Sequence, residues 1–309
     1  MLPVSRAGLW HLGVVAPNYG PGISAAGLRA SARAAEVSGY DSIWVTDHVA
    51  VPTEMTEVYG SIAEALVSAS FLAACTSRIK IGVSALVVPQ RPPLLTLKQV
   101  MGLQLLAEGR LAIAVAAGWT EQEFRNLGYS MRDRSRSLRL WESLVETVEA
   151  AAPGRIDFRD ETFEISDAVM APGFLDGRRP EMWMAGHADA VIGRAARAGV
   201  WHPVGRPVST IGPLAAQLRE LRSDAHVVLR VGVTLAADPD LDALDIGGRC
   251  RLVGPASFLA EQLSAFREAG CDGFLVDLLS NTQPLEESFD WFRSEVVGLL
   301  SPPSASRTA

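Results

Sequence analysis

Apolar residues recur along the chain in short, nearly continuous runs, and each run is followed by a segment whose apolar positions have helical spacing. Such runs, rich in Val, Ile and Leu, are typical of parallel strands that are buried on both faces. They lie at residues 9–17, 41–47, 78–88, 110–118, 181–186, 200–205, 226–236 and 272–279. The pattern therefore predicts eight buried strands that alternate with helices.

The helical segments lie at residues 24–38, 61–76, 94–108, 136–151, 189–198, 210–222, 256–269 and 285–300. Four of them stop at a glycine, a residue that adopts the left-handed backbone conformation at low cost: Gly39, Gly109, Gly199 and Gly270. Eight strands alternating with eight helices in about 300 residues are typical of a (β/α)8 barrel. The predicted fold class is therefore α/β, with a TIM barrel.

One stretch breaks this rhythm. Residues 153–180 contain alternating apolar and polar positions flanked by turn residues, which predicts an inserted hairpin and loop. The remainder predicts a single barrel domain over residues 1–300. The polar residues 301–309 predict a disordered C-terminal tail.

Charge and composition narrow the class of partner. The net charge is −7 and the pI is about 5.3, which argues against nucleic acid or an anionic membrane as partner. No apolar run approaches the ~20 residues that span a bilayer, and the N-terminus lacks the apolar core of a signal peptide. Three cysteines at unrelated spacings give neither a disulfide framework nor a zinc finger. These features predict a cytoplasmic protein that binds a small molecule.

The carboxyl ends of the barrel strands are where an active site is expected. Strand two ends at Asp47 and His48, and an imidazole there either acts as an acid/base near neutral pH or caps the following loop. Arg91, after strand three, either pairs with an anion or is solvated. The other candidates at strand ends are Ser84, Ala85, Gly118, Trp119, Ala185, Gly186, His187, Trp201, His202 and Asp277.

Small residues among these candidates have two interpretations. Glycine and alanine let backbone N–H groups approach a phosphate, and the helix after strand five offers its N-terminus to an anion. The alternative is that the glycines only form tight turns. In the same way, Trp119 and Trp201 either line an apolar pocket or pack within the fold.

Four segments, in order, carry a family resemblance: ARAAEVSGYDSIWVTDHVAVP (32–52), residues 76–128 with GWTEQEF, MWMAGHADAVIGRAARAGVWHPVG (182–205) and VGPASFLAEQLSAFREAGCDGFLVDL (253–278). Together they resemble the bacterial luciferase-like superfamily, particularly its deazaflavin-dependent (coenzyme F-420) oxidoreductase branch. Two positions depart from the family pattern. Ala185-Gly186 stands where the family often has Gly-Gly, and Gly199-Val200-Trp201 stands where it has Asp-Gly-Trp.

The resemblance implies specific roles. His48 is implied as the catalytic acid/base, and Trp201 and His202 are expected in the substrate pocket. A cis peptide with a bulge is implied at Ser84–Ala85. The cofactor-binding residues implied are Asp47, Ser84, Ala85, Gly118, Trp119, Ala185, Gly186 and His187.

Several functions follow as hypotheses. The first is hydride transfer between reduced F-420 and a small organic substrate. The alternative is a monooxygenase that uses reduced FMN and O2, with a separate flavin reductase as partner. A non-catalytic flavin-binding subunit is a third hypothesis, and a metal-dependent hydrolase that uses His48, His187, His202 and Asp277 is a fourth. No metal is expected for the first two. The resemblance also implies a homodimer, because members of this family often dimerise through apolar helices. Residues 65–75 are either the surface for this contact or part of the core.

Overall fold

The structure is a computed structural model that describes residues 9–20, 22–151, 154–187 and 189–300. Strands lie throughout these ranges: β1 (His11–Val15), β2 (Ser42–Val45), β3 (Lys80–Val87), β4 (Leu111–Ala116), β5 (Arg155–Arg159), β6 (Glu164–Val169), β7 (Glu181–Ala185), β8 (Val200–His202), β9 (His226–Leu235), β10 (Leu244–Asp245), β11 (Arg249–Gly254) and β12 (Gly273–Asp277). Each of the eight predicted runs contains a strand, so the prediction of their number and order is confirmed.

The α-helices of the same ranges are α1 (Ala25–Val37), α2 (Thr56–Tyr59), α3 (Ala65–Cys75), α4 (Pro93–Leu106), α5 (Glu121–Asn126), α6 (Arg134–Ala151), α7 (Asp189–Ala198), α8 (Val208–Leu221), α9 (Ala256–Glu268) and α10 (Leu285–Trp291). The last predicted helix is α-helical only over α10. It continues as a π-helix over Phe292–Val296 and a 3-10 turn over Val297–Leu299. The sequence pattern missed α2 and α5 because each is shorter than two turns.

The eight main strands pair in the order β9-β12-β1-β2-β3-β4-β7-β8, and β8 pairs again with β9, which closes the sheet. Every residue of β1, β2 and β12 is buried, as expected for parallel strands covered on both faces. The α/β fold with a TIM barrel is therefore confirmed.

Two additions accompany the barrel strands. The predicted insertion contains an antiparallel hairpin formed by β5 and β6, so that prediction is confirmed as well. The second addition was not predicted: β11 pairs parallel to the end of β9, and β10 pairs antiparallel to β11. The sequence of β11 is RCRLVG, in which two arginines interrupt the apolar run, so it lacks the pattern of a buried strand.

The four glycines predicted to end helices all have positive φ: Gly39 at 77°, Gly109 at 80°, Gly199 at 91° and Gly270 at 114°. Because L side chains rarely adopt this conformation, glycine is the residue that lets the chain leave the helix and turn into the next strand.

The described residues form two compact units. We call the described residues of Met1–Pro17, Ser24–Trp44 and Trp183–Ala309 the terminal unit, and those of Asn18–Ile23 and Val45–Met182 the central unit. A single domain over 1–300 stays a prediction, and the predicted tail at 301–309 lies outside the described residues. Among the helices described, none has both the length and the apolar character required to cross a membrane.

Candidate active site

The predicted site residues fall into two groups, one in each unit, and each residue lies in or shortly after a strand. The central unit holds Asp47, His48, Ser84, Ala85, Gly118 and Trp119, whereas the terminal unit holds Ala185, Gly186, His187, Trp201 and His202. The two groups have different chemistry.

In the central unit, His48 and Glu123 form a buried pair. The Nδ1 atom of His48 lies 2.9 Å from Oε2 of Glu123, and the two side chains are 6% and 2% exposed. The other carboxylate oxygen accepts the backbone N–H of Val49 at 2.7 Å and that of Ala50 at 3.3 Å. Both oxygens of Glu123 are therefore engaged with the chain segment that follows β2.

This pairing determines which nitrogen of the His48 imidazole carries a proton. Burial acts to raise the pKa of Glu123, but the His48 hydrogen bond, the charge of His48 and the two backbone donors outweigh it and lower that pKa. Glu123 is thus a carboxylate at neutral pH. A carboxylate beside Nδ1 favours the tautomer that keeps its proton there, and it stabilises the imidazolium. Proton exchange with a reactant is then assigned to Nε2 of His48.

Aromatic rings surround His48. The ring of Tyr59, which α2 carries, lies 4.5 Å from the imidazole centroid, and the indole of Trp119 lies edge-on at 6.2 Å. Tyr59 is buried, whereas Trp119 is 44% exposed. The unpredicted helix α2 is therefore part of the site, because it brings Tyr59 onto the histidine.

Asp47 is held by a different set of contacts. Its carboxylate accepts the N–H of Val87 at 3.0 Å and pairs with Arg91 at 2.5 Å, and Arg91 also pairs with Glu64 at 2.7 Å. Burial acts to lower the pKa of Arg91, but these two carboxylates outweigh it and raise that pKa. Arg91 is therefore neither solvated nor paired to an outside anion: it joins the segments after β2 and β3 to the start of α3.

Two backbone features predicted in this unit are present. The Ser84–Ala85 peptide is cis, and the register of β3 against β4 shifts between Ser84 and Leu86. Gly118 has a φ of +81°, and a Cβ atom there would lie 2.7 Å from the Phe124 ring and 2.8 Å from Val87. Close packing alone therefore requires glycine at 118, and its contact with a cofactor stays a prediction.

In the terminal unit, Trp201 and His202 are fully buried. The Trp201 indole donates to the carbonyl of Gly186 at 2.9 Å, and Nδ1 of His202 donates to the carbonyl of Val228 at 2.6 Å. Burial, aided by the charge of Arg230, lowers the pKa of His202 to about 3 although the Val228 hydrogen bond opposes this shift. His202 is thus a neutral interior side chain, and the predicted substrate contacts of both residues stay predictions.

His187 lies in cationic surroundings. Burial and the charges of Arg206 and Arg249 lower its pKa to about 4. Its Nδ1 atom is buried and has no hydrogen-bond partner among the described residues, and the same holds for Nε of Arg206. Gly186, directly before it, has a φ of +139° and no side chain to obstruct the backbone. A buried guanidinium N–H without a partner, close to a second guanidinium group, fits a phosphate or another small anion.

Sequence reasoning missed three functional candidates. Glu123 follows strand four in the segment GWTEQEF, and a search for a carboxylate near that strand end would have included it. Arg206 follows β8 closely in the chain, and it belongs to no motif in the sequence. Arg249 begins β11, a strand that the pattern did not predict.

No group of three His, Cys, Asp or Glu side chains within residues 9–20, 22–151, 154–187 and 189–300 is arranged to hold a metal ion. The four residues of the hydrolase hypothesis are divided between the two units. The structure gives the hydrolase hypothesis no support.

Known proteins resemble this chain. A family model described as luciferase-like monooxygenase matches residues 5–246. An uncharacterized protein of Mycobacterium tuberculosis is 27% identical over 226 residues, which cover 66% of this chain and 77% of that protein. An FMNH2-dependent dimethylsulfone monooxygenase of Pseudomonas fluorescens is 25% identical over 179 residues, 56% of this chain and 48% of its own.

Solved structures share the fold. The monooxygenase RslO1 from Streptomyces bottropensis has a TM-score of 0.75 at 17% identity, covering 93% of this chain and 99% of its own. A coenzyme F-420-dependent secondary alcohol dehydrogenase, solved with an F-420–acetone adduct, has a TM-score of 0.72 at 18% identity, covering 92% and 97%. At these identities the likeness concerns the fold alone.

Proposed function

The chain belongs to the luciferase-like monooxygenase family of oxidoreductases, and on this premise we propose that it transfers hydride between reduced coenzyme F-420 and a small organic substrate. The buried pair of His48 and Glu123 carries the proposal. Hydride addition to a carbonyl, imine or alkene leaves negative charge that a proton has to neutralise, and a histidine with a fixed carboxylate partner is suited to supply it.

Three residues of the chain have distinct proposed roles in this proton transfer. His48 releases a proton to the substrate at Nε2, or accepts one there from an alcohol in the reverse direction. Glu123 retains the Nδ1 proton and stabilises the imidazolium, so it is a positioning residue. Tyr59 packs against the imidazole and limits the access of water. When bound, reduced F-420 supplies the hydride from C5 of its ring.

The anion-binding features of the terminal unit support a phosphate-bearing cofactor. Gly186, His187 and Arg206 are proposed to hold its phosphate, because the latter two present buried nitrogen atoms that have no partner in the described ranges. For the central unit taken by itself, the resemblance supports a proposed role in cofactor binding for Asp47, Ser84, Ala85, Gly118 and Trp119. Ala185, which replaces a family glycine, adds a methyl group beside this anion site.

The second candidate is a monooxygenase that uses reduced FMN and O2. It is favoured by the relative in Pseudomonas fluorescens, which is described as FMNH2-dependent. In that case the partner is a separate flavin reductase. The same residues would bind the cofactor, and His48 would move protons at the same nitrogen. Under either candidate the cytoplasmic location stays a prediction.

A homodimer is proposed for the central unit's helices α3 and α4. Four large apolar side chains of these helices are between 46% and 70% exposed: Val67, Leu95, Leu105 and Leu106. Apolar side chains that are exposed together are often covered by a partner. Sedimentation of wild-type protein and Leu106→Glu tests this, with a shift toward monomer expected in the variant and an unchanged mass against the proposal.

Anaerobic titration with F-420 and with FMN, each oxidised and reduced, tests the proposed function by fluorescence and calorimetry. Preferential binding of F-420, weakened by Arg206→Met but not by the exposed Arg155→Met, is the expected result. Preferential binding of reduced FMN would favour the monooxygenase. Binding of neither cofactor would contradict both candidates and favour a non-catalytic role.

A further inference from the structure

Three of the chain's seven tryptophans form a continuous series of rings in the terminal unit. Trp10, just before β1, is 38% exposed, and its ring centroid lies 6.4 Å from that of Trp183 in β7. Trp183 lies 4.4 Å from Trp44 in β2, and both are fully buried. The series therefore runs from the surface of this unit into its core, and we call it the tryptophan chain.

Each end of the tryptophan chain has groups that can handle a proton. At the buried end, the Trp44 indole N–H donates to Ser42 Oγ at 2.5 Å, and Ser42 Oγ lies 2.6 Å from Nε2 of His11. Because the serine oxygen accepts the indole proton, its own proton can point to the imidazole. At the exposed end, Trp10 stacks on His226 with centroids 3.9 Å apart.

This arrangement suits electron transfer. Indole is among the most easily oxidised side chains, and the rate of electron tunnelling falls steeply with separation, so rings in contact exchange electrons far faster than separated rings. We propose that Trp44, Trp183 and Trp10 carry oxidising equivalents from the core of the terminal unit to its surface. The proposal goes beyond the proposed function and does not depend on which cofactor binds.

The electron and proton balance is as follows. Hydroxyl radical, a small uncharged one-electron oxidant derived from oxygen, takes an electron from Trp44 within the core and becomes hydroxide. The N–H proton of Trp44 shifts toward Ser42 as the serine proton shifts to His11. Trp183 then returns an electron to Trp44, and the proton returns with it. Trp10 reduces Trp183 and loses its own N–H proton to water. A thiol or ascorbate finally supplies one electron and one proton to Trp10.

The test uses the full chain without cofactor. A laser pulse photoionises indoles within the protein, a nitroso spin trap captures the radicals, and peptide mapping by mass spectrometry locates the adducts. Trp119, which is exposed in the central unit, is the internal reference. The expected result is an adduct ratio of Trp10 to Trp119 that falls several-fold in Trp183→Phe. Trp291→Phe, a partly buried tryptophan outside the series, should leave the ratio unchanged.

A second variant does not depend on tolerance of a core substitution. Trp10→Phe changes an exposed position and removes the exit, so transient absorption should show indole radicals that decay several-fold more slowly than in the wild type. The proposal is overturned by an unchanged adduct ratio in folded Trp183→Phe, or by an unchanged radical decay in Trp10→Phe.

Discussion

Histidines in the two units have opposite electrostatic surroundings. His48 in the central unit bonds to the buried carboxylate of Glu123, whereas His187 in the terminal unit lies near Arg206 and Arg249. A carboxylate stabilises the protonated imidazole, while burial and guanidinium charge oppose protonation. The same side chain therefore has a carboxylate partner suited to the proposed proton transfer in one unit, and is kept neutral beside the proposed anion site in the other.

The arginines of the two units also differ in their surroundings. Arg91 in the central unit is matched by the carboxylates of Asp47 and Glu64, so its charge is used within the fold. Arg206 in the terminal unit lies near His187, whose pKa its charge lowers, and no ion pair joins Arg206 to a carboxylate among the residues described. Neighbouring charge, rather than residue type, thus separates the proposed proton-transfer region from the proposed anion-binding region.

The largest expected effect comes from removing the imidazole of the central unit. His48→Ala should keep the fold but lower the free energy of unfolding, because the buried carboxylate of Glu123 loses a partner. Turnover should fall roughly a hundredfold, because general acid/base catalysis is worth about 10²- to 10⁴-fold. Steady-state kinetics with the cofactor identified by titration measure this. His226→Gln, a histidine of the terminal unit, serves as control and should retain turnover. Wild-type turnover in His48→Ala would refute the acid/base role.

Removing the cation that pairs with Asp47 in the central unit should have the next largest effect. Arg91→Met leaves the buried carboxylate of Asp47 without its cation, and removal of one partner of a buried pair costs about 3–5 kcal/mol. Urea denaturation measures the loss in the free energy of unfolding. Arg155→Met removes an exposed arginine from its ion pairs and should change stability by less than about 1 kcal/mol. Equal effects of the two substitutions would contradict the assigned role of Arg91.

Neutralising Glu123 tests the carboxylate itself. Glu123→Gln keeps the shape of the side chain but removes its charge, so we expect a fall in turnover of about tenfold, equivalent to 1.4 kcal/mol. Separate measurement of kcat and KM tests this role: the fall is expected in kcat with KM little changed, and an unchanged kcat would contradict it.

The same variant has a stability signature with a definite sign. The folded-state pKa of Glu123 lies below its ordinary value of 4.5. Its stabilising contribution is therefore fully present above pH 4.5 and is lost as pH falls through the lower folded pKa. Acid titration of the free energy of unfolding should show a shallower loss in Glu123→Gln than in the wild type.

The smallest expected effect comes from making the terminal unit resemble the central one. Arg206→Glu replaces a cation near His187 by a carboxylate, so the pKa of His187 should rise from about 4 toward 6.5. NMR titration of the imidazole measures it, and Arg132→Glu at an exposed position of the central unit is the control. An unchanged pKa would mean that burial and Arg249 set it without Arg206.

Wild-type His187 also predicts the direction of a pH effect. Because its folded-state pKa is lower than the ordinary value, the unfolded chain binds more protons between pH 6.5 and about 4. The contribution of His187 therefore destabilises the fold progressively as pH falls through this window. Arg206→Glu should raise the folded-state pKa of His187. The pH range over which His187 destabilises the fold should then still begin near pH 6.5 but end above pH 4.

The sequence by itself determined the order of strands and helices, the glycines that end four helices, the inserted hairpin and the placement of Asp47 and His48 after strand two. These features follow from local patterns, because burial on both faces and the conformational freedom of glycine are recorded in neighbouring residues. The sequence did not predict α2, α5 or β11 for the same reason. The helices α2 and α5 are too short to show a periodic pattern, and the apolar run of β11 is interrupted by polar residues.

Only the tertiary structure decided which charges meet. His48 and Glu123 are 75 residues apart, and Arg91 and Asp47 are 44 apart. No local pattern records such pairings, since they arise where separate strands and helices pack together. The sequence therefore located the candidate histidines, whereas long-range packing gave one of them a carboxylate and surrounded another with arginines, and that difference sets the chemistry of each.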